Sequence, residues 1–258
     1  MENTKELSYI IGFIQTDGCL TSATRNRGNV TIHISKRDKD ILDKMVEYVD
    51  YNYSIKERIQ NTNFKDNYES VCLTICDKRF RDFLINDVGM HYGKKSHDVT
   101  IPKIDYSEID YWRGIIDGDG SLGLTANNIP FLSLVTASEE LKNEYLKFTS
   151  NITGKEKRIN RNKRDNVYNI VILNEDAQKI IKLLYYENCL CIERKREKSN
   201  DVLNWIRPIG RKKITFEKRK WTEEEKTYIS THTITESIKH LNRTRKSIGK
   251  KLWELKKL

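Results

Sequence analysis

The hydrophobic positions of this chain fall into two parallel series. Tyr9-Ile-Ile-Gly-Phe-Ile-Gln-Thr-Asp-Gly18 is an apolar helical turn that ends in Asp-Gly, and Tyr111-Trp-Arg-Gly-Ile-Ile-Asp-Gly-Asp-Gly120 repeats its pattern 102 residues later. After the first segment comes an alternating run, 29–35. Val30, Ile32 and Ile34 point one way and Thr31, His33 and Ser35 the other, the period of a strand with one buried face. An amphipathic stretch (38–49), two strand-like runs (53–60 and 68–76) and a helix-like stretch (78–88) follow. After the second segment the series recurs: 129–136, 138–149, strand-like runs 155–161 and 166–173, and a helix-like stretch, 175–187. Each half is read as α-β-β-α-β-β-α, one strand more than these runs supply, in an α+β class with antiparallel sheets. Two such halves make the single-chain counterpart of a symmetric dimer. Their polar strand faces, related by a pseudo-two-fold axis, would form a saddle wide enough for a duplex.

The repeated segment constrains its own packing. Gly12 and Thr16 lie four apart, as do Gly114 and Gly118. Positions i and i+4 share a helix face, and small residues there let two backbones approach closely. Gly18 and Gly120 are expected in the left-handed conformation that stops a helix. Two helices packed this way would end together, with Asp17 and Asp119 at the foot of the seam. Paired carboxylates repel unless they share a proton or hold divalent cations, and oxygen ligands select Mg²⁺ over zinc.

Charge is unevenly distributed along the chain. The 258 residues carry 47 Lys and Arg against 37 Asp and Glu, for a formal net charge of +10. Nearly all of the excess lies in residues 211–258, which hold 15 bases and 6 acids. A concentrated basic block points to a polyanion partner, usually nucleic acid. Within the nearly neutral body, 155–164 carries six bases and one acid. Lys155, Arg158, Arg161, Lys163 and Arg164 are the candidates there for phosphate contacts. No apolar run approaches the ~20 residues of a membrane span, and the N-terminus lacks a secretory pattern. Cys19, Cys72, Cys76, Cys189 and Cys191 are an odd set without zinc-ligand spacing, which predicts free thiols in a reducing, cytoplasmic compartment.

With motif, spacing and element order in place, residues 5–207 resemble the LAGLIDADG homing endonucleases in their single-chain, two-motif form. The motif is matched by Ile10–Gly18 and Trp112–Gly120. The resemblance implies that the eighth motif position, Asp17 and Asp119, binds metal, Mg²⁺ or another divalent ion. It implies that carbonyls near Thr16 and Gly118 complete the ligands. The sixth position, often acidic in the family, is Gln15 in one copy and Asp117 in the other. The family's lysine near the end of each half matches Lys95 and Lys195, with Lys94 and Arg194 as rivals. A water-organising polar residue after the second strand matches Lys36, but Ala137 or Ser138 in the second half, so the halves need not be equally competent. The implied partner is double-stranded DNA with a long asymmetric target, bound by a monomer whose sheets read bases with side chains such as Thr31 and His33. The implied gene is intron-encoded or free-standing, and Lys/Asn/Ile richness suggests an AT-rich bacterial or phage genome. Intron RNA is a further expected partner if the chain is a maturase. A non-cutting reader, maturase or transcription regulator, is the rival function; two retained aspartates favour the nuclease.

The basic tail reads as three short helices. Thr222 with Glu225 forms a capping box, Ile238 and Leu241 give a second apolar face, and Thr244 caps a third helix with Ile248, Leu252 and Leu255 on one stripe. Arg245, Lys246 and Lys250 occupy its other face. The segment resembles a Myb/SANT-type helix-turn-helix, which implies a third helix in the major groove; a protein-binding SANT-like unit is the alternative. The expected organisation is 1–104 and 105–207 for the halves, 208–219 for a basic linker and 220–258 for the helical domain.

Overall fold

The computed structural model describes residues 4–22, 27–61, 66–93, 96–208 and 219–255. It divides into two compact units, 1–206 and 207–258.

In the first half of the larger unit, α1 (Lys5–Asp17) runs straight into β1 (Gly18–Leu20). The Thr4 hydroxyl starts this helix by accepting from the Leu7 amide at 3.0 Å, a standard N-cap. Then come β2 (Val30–Ser35), α2 (Lys39–Met45), β3 (Tyr53–Gln60), β4 (Tyr68–Ile75) and α3 (Lys78–Asp82), which continues as a π turn over Phe83–Asp87. The strands form an antiparallel sheet in the order β1-β2-β4-β3.

The second half opens with α4 (Glu108–Asp119), which runs into β5 (Gly120–Leu124). It continues through β6 (Pro130–Thr136), α5 (Glu139–Thr153), β7 (Tyr168–Leu173), α6 (Asn174–Leu184) and α7 (Glu193–Leu203). Its sheet is β5-β6-β7, also antiparallel.

The expected strand at 155–161 does not form. The Lys157 ammonium instead donates to the Val171 carbonyl on β7 at 2.6 Å. A side chain thus takes a hydrogen bond that an added strand would supply. Dense like charge in 155–164 also disfavours a flat edge strand. A helix that the hydrophobic pattern did not announce, α7, closes this half.

The two halves share one hydrophobic core, which runs through the contact between α1 and α4. A Cβ on Gly12 would stand 2.4 Å from the Tyr111 carbonyl oxygen, and one on Gly114 would stand 2.2 Å from that of Tyr9. The backbones therefore cross at the repeated glycine, as the small-residue spacing predicted. One turn further on, a Cβ on Gly118 would overlap the Thr16 hydroxyl at 1.8 Å.

The left-handed expectation for Gly18 and Gly120 is corrected. Both are extended, with φ of −87° and −95°. They are glycine because a Cβ would sit 2.6 Å from the Ile14 carbonyl oxygen and 2.7 Å from that of Ile116. Close approach, not positive φ, fixes the residue.

The smaller unit holds α8 (Glu223–Thr231), α9 (Ile234–Leu241) and α10 (Arg245–Leu255) around Ile229, Leu241 and Ile248. Capping boxes open α8, at Thr222 and Glu225, and α9, at Thr233 and Glu236. Most of the expected linker, 209–218, lies outside the described residues. Among the described residues no helix is long and apolar enough to cross a membrane, and all five cysteines are free.

Candidate active site and nucleic-acid interface

Each motif helix delivers its last residue, an aspartate, to a cavity built from both halves. Asp17 lines a cavity of about 370 Å³ with His33 and Ser35 of β2, Arg37 and Asp38 after it, and Arg194, Lys195 and Lys198 of α7. Asp119 lines a second cavity of about 250 Å³ with Gln15 and Thr16 of α1, Ser96, and Val135 to Ala137 at the end of β6. The two cavities are counterparts under the repeat: His33 corresponds to Val135, Ser35 to Ala137 and Asp117 to Gln15. Asp17 is half-buried and Asp119 exposed.

The sixth motif position is structural in both copies. Asp117 is buried and accepts from the Tyr9 hydroxyl at 2.8 Å, the Tyr185 hydroxyl at 2.6 Å and the Ile192 amide at 2.9 Å. Gln15 accepts from the Tyr111 hydroxyl at 2.6 Å and donates to the Thr100 carbonyl at 2.8 Å. Tyr9 and Tyr111 are themselves repeat partners. The requirement at this position is an acceptor for a tyrosine from the opposite helix, which an amide meets as well as a carboxylate. Burial, and then the charge of Asp117, holds Tyr9 and Tyr185 well above the ordinary phenol value.

Lys195 does not point its ammonium into open cavity. It is buried and donates to the carbonyls of Ile116 and Asp117 at 2.6 Å and of Gly120 at 3.0 Å. A cation there satisfies the orphan carbonyls at the C-terminus of α4 and complements the helix dipole. Burial pushes its pKa below the ordinary lysine value, against the opposing pull of Asp117. The neighbouring Arg194 is the more exposed cation. Its guanidinium grips Asp38 through two bonds, 3.0 and 2.8 Å, that join the two halves. Burial works to raise the Asp38 carboxyl, and Arg194 more than offsets this, so its pKa lies below the usual carboxylate range.

Lys36 is placed elsewhere. It pairs with Glu57 at 3.1 Å and Glu69 at 3.4 Å. Strand register puts both glutamates on the core side of the sheet, opposite the His33 face. Lys95 lies outside the described residues.

The outward face of the first sheet carries Thr31 and His33 as expected. Thr31 donates to the Cys19 carbonyl at 3.4 Å, and the His33 Nε2 lies 3.2 Å from the Cys72 sulfur. The register adds Lys56, opposite Cys72, and Arg58, opposite Ser70, to this face. Both were legible in the alternation of β3 once it was paired with β4. In the basic stretch, Lys155 pairs with Asp176, Arg161 donates to the Tyr168 hydroxyl at 3.1 Å, and Arg164 pairs with Asp165. Arg158 and Lys163 are exposed. On α10, Arg245, Lys246 and Lys250 are exposed, and Trp253 shares their stripe. Arg243 stacks on Trp221 at 4.0 Å and pairs with the buried Glu225 at 2.7 Å, which fixes the unit's fold.

Among the described residues no three His, Cys, Asp or Glu side chains converge as a metal site. The donor set at the foot of the two motif helices is still one of hard oxygens: the Asp17 and Asp119 carboxylates and the last-turn carbonyls of Thr16 and Gly118. Mg²⁺ is commonly held by one or two carboxylates, with water and substrate phosphate supplying the rest. These oxygens fit that ion.

Residues 4–89 and 107–183 match the LAGLIDADG-like domain, so the chain belongs to that family. No curated protein matches the chain in sequence. Among solved structures, the homing endonuclease I-WcaI bound to its DNA recognition sequence is 19% identical, with a TM-score of 0.52 over 77% of this chain and 88% of that one. The LAGLIDADG homing endonuclease I-GzeII in complex with its DNA target is 15% identical, with a TM-score of 0.50 over 75% and 87%. Full-length DUF199/WhiA from Thermatoga maritima is 14% identical, with a TM-score of 0.47 over 97% and 89%. The likenesses to the two endonucleases are likenesses of fold.

Proposed function

We propose that the chain is a site-specific, divalent-metal-dependent double-strand DNA endonuclease. The observation that carries the reading is the paired aspartates: two helices locked at Gly12 and Gly114 each end in a carboxylate, and each carboxylate opens into a cavity contributed by both halves. Turn chemistry alone gives no reason for that duplication. Both DNA-bound structures named above have the same fold, and their binding of DNA supports the reading.

Mg²⁺ held by Asp17 and Asp119, with the carbonyls of Thr16 and Gly118, would supply Lewis-acid polarisation of the scissile phosphate. The protein's own groups do the rest. Arg194, pinned by Asp38, and Arg37 and Lys198 place positive charge in the Asp17 cavity, where a phosphodiester gains negative charge during hydrolysis. Lys195 fixes the end of α4, and so the position of Asp119, by holding three carbonyls. Thr31, His33, Lys56 and Arg58 face base edges and phosphates, with Arg158 and Lys163 on the backbone. The helical unit 207–258 adds a helix-turn-helix contact through Arg245, Lys246 and Lys250. In this reading Lys195 is a positioning residue and Arg194 the phosphate-facing cation.

The test is to incubate the protein with Mg²⁺ and a plasmid carrying its own gene locus without the intervening sequence, then to map breaks on both strands. A discrete double-strand cut supports the nuclease. Tight, site-specific binding with no scission would instead make the chain a non-cutting reader such as a maturase or regulator.

A further inference from the structure

The outward faces of the two sheets differ in chemistry, although the repeat predicts two equivalent polar surfaces. On the first sheet most outward positions are polar or basic, His33, Lys56 and Arg58 among them, with Cys72 buried between His33 and Lys56. On the second sheet strand register places Phe131 opposite Leu173, Ser133 opposite Val171 and Val135 opposite Asn169. Four of these six side chains are apolar. Val135 is 41% exposed and Leu173 42%, so the patch is open rather than covered by the rest of its unit.

The surroundings of the patch indicate its occupant. None of the outward positions of β5, β6 and β7 is acidic. Lys198 lies over the Gly123 end, where its Cδ is 3.9 Å from the place of a glycine Cβ, and Lys157 is tied to the Val171 carbonyl. The patch is also continuous with the candidate active site, because Val135 lines the Asp119 cavity. An apolar surface flanked by lysines, with no acid among its own outward positions and continuous with a phosphodiester site, suits a polyanion whose exposed groups include apolar ones. In the major groove of DNA that group is the C5 methyl of thymine.

We propose that the second sheet reads thymine methyl groups through Phe131, Val135, Val171 and Leu173. The half-site beneath it is then rich in A·T pairs, and the half-site beneath the first sheet is read by hydrogen bonds from His33, Lys56 and Arg58. The inference rests on the DNA-binding reading above and adds to it a division of target chemistry between the halves.

The test uses the full chain with Ca²⁺. Duplexes are selected from a randomised pool by binding, and the winners are remade with deoxyuridine in place of thymine, one half-site at a time. Deoxyuridine pairs as thymine does but lacks the methyl. Substitution in one half-site is expected to weaken binding about fourfold per contacted methyl, with little effect in the other. The double variant Val135→Ser, Leu173→Ser should bring the thymine-to-uracil ratio close to one in the sensitive half-site. Indifference to methyl removal in both half-sites, or a sensitivity that survives the double variant, would overturn the proposal and leave DNA binding standing. Failure to capture any duplex would overturn the DNA-binding reading and this proposal with it.

Discussion

At the scale of single residues, the site turns on which charged groups face the cavity and which hold the scaffold. Lys195 matches the family's lysine and Asp117 its often acidic sixth position, yet the second accepts three hydrogen bonds and the first donates three, all within the protein. Lys195→Met should leave the α4 carbonyls unsatisfied and lower stability by about 2 kcal/mol in chemical denaturation. The Asp38–Arg194 pair gives a pH prediction. Because the native carboxyl is held below its ordinary value, the pair's contribution is present above about pH 4 and is lost as the pH falls through the depressed native value. With Arg194 partly exposed, that contribution is about 1–2 kcal/mol. Asp38→Asn should therefore destabilise the protein at pH 7 and narrow the stability difference from wild type at pH 3, as read from urea midpoints. The position of Asp17 and Asp119 at the ends of two crossing helices was legible in the sequence because the motif occurs twice. The partners of Lys195 and Arg194 were not, because adjacent residues on one helix point in different directions, and only packing decides which is buried.

At the scale of elements, the crossing of α1 and α4 is the most constrained contact. Gly12→Ala and Gly114→Ala each drive a methyl into a backbone carbonyl, which no side-chain rotation relieves. Each should cost about 1–3 kcal/mol and reduce cutting through displacement of the aspartates. Gly249, inside α10, is the contrasting case, since nothing lies within 4 Å of its Cβ position. Gly249→Ala should stabilise the helical unit by roughly 0.5–1 kcal/mol, seen as a higher melting temperature for that transition. Most strands and helices were legible from periodicity, and the crossing glycines from their spacing. Other features were not, the short strands β1 and β5 after each motif among them. The 155–161 strand gave way to a lysine that takes a carbonyl on β7. The helix α7 carries too few apolar residues to announce itself. Gly18 and Gly120 answer to crowding by the preceding turn, which local turn chemistry does not encode.

At the scale of the whole molecule, the unit 1–206 and the unit 207–258 each have their own hydrophobic cluster. Truncation after residue 207 should leave a folded body. It should weaken DNA binding and lower the slope of log affinity against log salt by about 3, if α10 contacts three or four phosphates. Reversing the charge of Arg245, Lys246 and Lys250 should reproduce that loss, and an unchanged slope would point to a protein partner for the tail. In the proposed function the two motif aspartates serve two strand-cutting sites. The most direct measurement is single-turnover cleavage of a strand-labelled target duplex in Mg²⁺ by wild type, Asp17→Asn and Asp119→Asn, with binding followed in Ca²⁺. Wild type should cut both strands. Asp17→Asn should lose the cut in one strand, and Asp119→Asn the cut in the other or in both, while both variants still bind. If either variant cut both strands at the wild-type rate, the account of the site would be contradicted.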